Sequence, residues 1–316
     1  MKTTGRAHGK VILLGEHAVV YGAPALAAGI LDRGARAWGI ELAPGAASRL
    51  TIGGNEVLAD AASRYAVARA FAALLAEGRP APPVAIDAES DLPSGGGLGS
   101  SAALGVAIGR AVADLFDPVI DGEAAARAVA WERIFHGNPS NIDTTAAAIG
   151  GCFRYTREHG AHPIPVARAL VLCIGWSGSS SSTRAMVEGL AALRARKPEM
   201  VDKQVAGITA LVENAALAVE AGDVAGLGRL LDLNQMILAG LFLSTGPIEE
   251  MCAIARAAGA LGAKLTGAGG GGSVIALVGP DETGSEDAAA AKILDAWRAA
   301  GFSGFVTRVG VPGGVV

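Results

Sequence analysis

Aromatic side chains are scarce, at 4% of the 316 residues, and the 26 lysines and arginines form no basic block. That combination argues against a nucleic-acid groove, which needs a basic track and stacking platforms. A net charge of −4 points the same way. Cysteine is nearly missing. Cys152, Cys173 and Cys252 are odd in number, far apart and set in apolar surroundings. They read as reduced core residues, not as a disulfide framework or a zinc site. No apolar run approaches the ~20 residues of a membrane span, and the opening MKTTGRAHGK lacks the apolar stretch of a secretion signal. The expectation is a cytoplasmic chain with neither a membrane nor a nucleic-acid partner.

Glycine, by contrast, is abundant. There are 45, roughly twice ordinary usage. Hydrophobic residues at 51% provide for a sizeable core, so the glycines belong to folded turns and close backbone approaches. Strand-like and helix-like segments are mixed throughout, which implies α+β or α/β layers. Lys10–Leu14, Ala35–Leu42, Val84–Ala88, Cys152–Thr156 and Ala169–Gly175 read as strands, and residues 157–165 as a polar loop. The length suggests two domains, with a boundary near residue 166, giving 1–166 and 167–316.

Four segments carry chemistry. In Pro93–Ala103, four glycines lead into a helix that starts near Ser100-Ser101. Helix N-termini expose unpaired N–H groups and partial positive charge, and glycines let backbone close on a phosphate. Ser101 offers a hydroxyl to a magnesium ion. A glycine turn with a serine cap would look similar. The lysine of a Walker A loop is missing, and the spacing fits a dinucleotide fingerprint poorly. In Lys264–Gly272, five glycines in six positions favour a loop facing a ligand over a simple hairpin. In Trp131–Asp143, a Gly-Asn-Pro-Ser turn can bring Glu132 and Asp143 together, as a metal–phosphate site requires. In Gly9–His17, Lys10 heads a strand, and Glu16-His17 occupies the turn after it.

Together these segments resemble the GHMP kinase superfamily, and within it the mevalonate kinases. The matching strings are GKVILLGEHAVVYGAPALA (9–27), LPSGGGLGSSAA (92–103), ERIFHGNPSNID (132–143) and KLTGAGGGG (264–272). The resemblance implies a two-domain α+β fold with a ribosomal protein S5 domain 2-like N-terminal domain and a ferredoxin-like C-terminal domain. It places the active site in the interdomain cleft. It also implies ATP- and Mg²⁺-dependent phosphorylation of the C5 hydroxyl of (R)-mevalonate, in isoprenoid biosynthesis. By position, Asp143 resembles the catalytic aspartate and Lys10 the lysine paired with it. Ser101 and Glu132 resemble the magnesium ligands. Pro93, Gly95, Gly96, Gly97, Leu98, Gly99, Ser100, Ser101 and Ala102 resemble the ATP phosphate loop, with Gly269 and Gly270 closing over the nucleotide. Glu16, His17, Arg184, Gly267 and Ala268 resemble the substrate side, Arg184 being suited to a carboxylate. His8, Leu104 and Asn141 depart from the pattern; Asn141 replaces a usual glycine, and asparagine tolerates left-handed backbone.

Other readings stay open at this point. Phosphomevalonate, homoserine and sugar kinases share the glycine loops, as does a decarboxylase relative. A nucleotide-binding sensor without turnover and a dinucleotide-dependent oxidoreductase belong to other classes. A homodimer is compatible with the sequence.

Overall fold

The computed structural model describes residues 2–116, 122–137, 140–180 and 182–310. The predicted Gly-Asn-Pro-Ser turn falls partly on Asn138 and Pro139, and the Ser-rich loop on Ser181, which lie outside the described residues. The chain forms two compact units that interleave in sequence. The first contains residues 1–9, 33–94 and 99–150; the second contains 10–32, 95–98 and 151–316. Residue 166, the boundary expected from sequence, falls inside the second unit, ahead of its central sheet.

Strands β1 (Lys2–Leu14) and β2 (Ala25–Glu41) contribute one half to each unit. Both are longer than their expected segments. In Lys2–Ala7 the inward positions are Thr3, Gly5 and Ala7, too small and too polar to register as an apolar alternation. In the first unit, β3 (Arg49–Ile52) forms a hairpin with β4 (Asn55–Leu58). After helix α1 (Ala66–Ala76), β5 (Val84–Ser90) runs parallel to β3 and antiparallel to residues 35–41 of β2. Helices α2 (Ser100–Ala113), α3 (Glu123–His136) and α4 (Ile142–Ile149) pack on one another, and α2 also covers β5. Gly5 explains how β1 lies so close to α2: a Cβ there would sit 2.8 Å from the Ala111 nitrogen.

In the second unit, residues 25–28 of β2 pair with β6 (Cys152–Thr156). Strand β7 (Gly160–Pro163) pairs with β6, so the expected polar loop holds a short strand. Then follow β8 (Leu170–Trp176), helices α5 (Thr183–Arg196), α6 (Pro198–Ala221), α7 (Val224–Gly240) and α8 (Gly246–Ala257), strands β9 (Gly262–Thr266) and β10 (Ser273–Leu277), helix α9 (Glu286–Ala299) and β11 (Ser303–Val309). The antiparallel sheet runs β11-β8-β10-β9. That is the strand order and helix interleaving of a ferredoxin-like layer, with the first crossover expanded to four helices. Helices α8 and α9 cover the sheet, and Gly175 lets β8 approach the Trp297 ring, where a Cβ would come within 2.8 Å of Cζ3.

All three cysteines are buried, and burial pushes each thiol up to about 12. Only thiolates react readily. We therefore expect no labelling by a thiol reagent at pH 8 in the native state and labelling of all three in denaturant, counted by absorbance. Among the described residues, no helix is long and apolar enough to cross a membrane.

Candidate active site

In the first unit, three expected residues sit on neighbouring helices. Ser101 lies in the first turn of α2, Glu132 in the last turns of α3, and Asp143 in the first turn of α4. The Ser101 hydroxyl donates to Glu132 Oε1 at 2.5 Å. Trp131 Nε1 donates to the Ser101 carbonyl at 3.1 Å, which fixes the start of α2 against α3. Gly105 makes this approach feasible, since its Cβ would lie 2.7 Å from Trp131 Cδ1. Overpacking of that kind costs roughly 1–3 kcal/mol. We expect Gly105→Ala to lose stability in that range in urea unfolding.

Glu132 is buried, and His136 Nε2 lies 3.5 Å from its Oε2. A hydroxyl and a carboxylate oxygen in contact form a hard donor pair. Magnesium takes one or two carboxylates and completes its shell with water and phosphate oxygens, so the pair fits. Among the described residues no group of three His, Cys, Asp or Glu side chains forms a closed cage. Asn141, before α4, adopts φ +64°, the left-handed backbone expected where it replaces glycine. It starts α4 so that Asp143 falls in its first turn, where a carboxylate is favoured by the helix dipole.

The expected phosphate loop is divided between the units. Gly99, with φ +75°, precedes α2, and the Ser100 hydroxyl lies 3.3 Å from that of Ser90, all in the first unit. Gly95–Leu98 belongs to the second unit, where Leu98 accepts from the Lys10 N–H at 2.9 Å. Here the glycines answer to neighbouring backbone. A Cβ on Gly97 would lie 2.8 Å from the Thr266 carbonyl oxygen, and one on Gly271 would lie 2.9 Å from the Ser179 carbonyl oxygen. Gly270 donates to the Leu243 carbonyl and Gly272 to the Ser179 carbonyl, each at 2.8 Å. Residues 267–272 connect β9 to β10. At Gly267, Gly269 and Gly271, protein backbone approaches closely.

Also in the second unit, Lys10 and Glu16 are buried. The Glu16 carboxylate faces Lys264 through Oε1 and accepts from Asn234 Nδ2 at 3.2 Å through Oε2. Burial pushes the Glu16 carboxyl up and the Lys264 ammonium down, while each partner opposes the shift of the other. His17 has φ +60°. Its Nε2 lies 2.7 Å from the Ala268 carbonyl oxygen. A carbonyl only accepts, so this bond puts the proton on Nε2 and leaves Nδ1 as an acceptor. Burial holds the imidazole below its usual value. Arg184 lies in the first turn of α5, exposed and paired with Glu188 at 2.8 Å. Sequence reasoning gave no role to Asn234, Lys264 or the Ser179 carbonyl. The Lys-Leu-Thr-Gly context held a signal for Lys264 alone.

The family model described as GHMP kinases N terminal domain matches residues 64–151, and that described as GHMP kinases C terminal matches 215–302. Mevalonate kinase of Thermococcus sibiricus is 34% identical, over 93% of this chain and 93% of that protein. The chain belongs to the GHMP kinases. The L. major mevalonate kinase structure in complex with R-mevalonate superimposes with a TM-score of 0.81 at 29% identity, covering 98% of this chain and 96% of that one. The Lactococcus lactis galactokinase structure, at 17% identity and TM-score 0.78 over 100% and 95% of the two chains, shares the fold. Helices and strands are mixed in both units of this two-domain fold. Residue 166 lies between the two matched ranges.

Proposed function

We propose that the chain is a mevalonate kinase, moving the γ-phosphoryl group of ATP to the C5 hydroxyl of (R)-mevalonate. The observation that carries this reading is 34% identity, along nearly the whole chain, to a relative of that name. The Gly-Glu-His-Ala-Val-Val-Tyr-Gly string at residues 15–22, whose resemblance is to the mevalonate kinases in particular, supports it. The C5 oxygen forms a bond to the γ-phosphorus, the bond to the β–γ bridging oxygen breaks, and the alcohol proton passes to Asp143. A primary alcohol is a weak nucleophile, so a carboxylate that accepts this proton lowers the barrier. Lys10 provides a fixed cation for charge on the transferring group. The free N–H groups at the start of α2 suit phosphate oxygens. His17 Nδ1 is an acceptor for a substrate hydroxyl, and Arg184 a fork for its carboxylate once Glu188 yields it. Ser101 and Glu132 would hold Mg²⁺, which neutralises phosphate charge when bound.

An ADP-release assay against mevalonate, phosphomevalonate, homoserine and galactose tests the reading; turnover confined to any of the last three overturns it. For Glu132→Gln we expect the Mg²⁺ concentration at half-maximal rate to rise roughly tenfold or more. An unchanged magnesium titration would remove Glu132 from the ligand set.

A further inference from the structure

We propose that Lys264 and Asn234 are positioning residues that draw Glu16 into the interior of the second unit and so fix the turn presenting His17. This rests on the reading of that turn as the substrate side of the site, and it gives Glu16 a different task from direct contact with substrate. Glu16 is 1% exposed and Lys264 0%. Both carboxylate oxygens are engaged, one by the Lys264 ammonium and one by the Asn234 amide. A carboxylate so enclosed has no open side to offer a ligand.

A fully buried ion pair is a poor device for stability, because desolvation offsets the attraction and an apolar replacement often serves as well. Its use lies in geometry. The turn it holds is strained: Gly15 has φ +103° and His17, a non-glycine residue, φ +60°. Such a conformation persists where its surroundings over-determine it. Here β9 and its following loop do so from three sides. Thr266 Oγ1 accepts from the Ile12 N–H at 2.9 Å, and the Ala268 carbonyl accepts from His17. Lys264, two residues before Thr266, takes Glu16.

Helix α7 completes the brace with adjacent residues. Gln235 Oε1 accepts from the Leu265 N–H at 2.9 Å, holding β9, while Asn234 holds Glu16. The Asn234 Oδ1 is buried with no hydrogen-bond partner among the described residues. That arrangement suits a side chain kept for its one bond to Glu16. The Glu16 carboxylate is within electrostatic reach of Lys10 as well as Lys264. Lys264 is its hydrogen-bonded counter-ion.

The test uses the full chain and the variants Lys264→Met, Asn234→Ala, Glu16→Gln and Glu16→Gln/Lys264→Met. Two quantities are read: the His17 Cε1–H resonance without ligand, and KM for mevalonate against KM for ATP. We expect the resonance to move in Lys264→Met and Asn234→Ala. We expect KM for mevalonate to rise about tenfold in Lys264→Met, with KM for ATP within about threefold. The double variant should lose less than the product of its single losses, because the two side chains act as one unit. An unmoved resonance in a folded Lys264→Met overturns the proposal. So does a moved resonance with unchanged KM, which would reduce the pair to a structural tie. If Lys264→Met does not fold, Asn234→Ala decides by the same two readings. A parent chain inactive on mevalonate would sink the kinase reading alone, and the resonance would then decide the brace by itself.

Discussion

Replacing Asp143 by Asn should cost about 10²–10⁴-fold in kcat, the range that a positioned proton acceptor contributes. KM for ATP should stay within a few-fold. The two side chains are nearly identical in shape, and both are tolerated at the start of a helix, where residue 143 lies. The amide cannot take the alcohol proton, so the loss should fall on the chemical step and not on binding. Steady-state kinetics with ADP release as the readout separates the two. Equal kcat in variant and parent would take Asp143 out of the reaction.

The largest stability effect is expected at Arg127. Its side chain is fully buried in the first unit. It donates to the carbonyls of Leu74 at 2.8 Å and Leu75 at 3.2 Å, closing the C-terminus of α1, and to Glu123 at 2.8 Å. Removing Arg127 takes away one of the two guanidinium partners of Glu123, Arg79 remaining, and strips the Leu74 carbonyl of its buried donor, at roughly 1–3 kcal/mol for each buried group left unsatisfied. Arg127→Met should lower the stability of the folded chain by that order, read in urea unfolding at pH 7. A loss below about 1 kcal/mol would show that water replaces the guanidinium without penalty. The same network predicts an acid limb. Hydrogen bonds from Arg79, then from Arg127, hold the Glu123 carboxyl below its usual value against the opposing effect of burial. A carboxylate with a depressed folded pKa contributes stability that is present above its unfolded value, and the contribution is lost as pH falls through the folded one. Glu123→Gln should therefore be less stable at pH 7 and show a flatter decline on acidification.

Much of this was legible in the sequence, for identifiable reasons. The helix at residue 100 and the glycine run before it announce each other, because the chain enters that helix through left-handed backbone at Gly99, which glycine adopts freely. Asn141 carried its own conformational signature. The order of the four motifs pointed to a two-unit α+β fold. The missed features lack a local signal. Thr3, Gly5 and Ala7 are small inward positions that no hydrophobic alternation marks. The hydrogen bond between Asn234 and Glu16 spans 218 positions, and no spacing rule reaches so far. The second glycine loop was read for a ligand, and its packing against the chain was not foreseen. Glycine reports that something comes close but does not say what, and at Gly267 and Gly271 the neighbour is the chain itself.

The interleaving of the two units has a bearing on how this chain can be made and taken apart. The backbone passes from one unit to the other after residues 9, 32, 94, 98 and 150. No single scissile bond yields two self-sufficient fragments, because each half-length piece would lack strands or a loop that its partner carries. On a ribosome, residues 25–28 must wait until β6 (Cys152–Thr156) has been made before they find that sheet partner. Any scheme to exchange one half between related enzymes has to transplant several separate stretches at once.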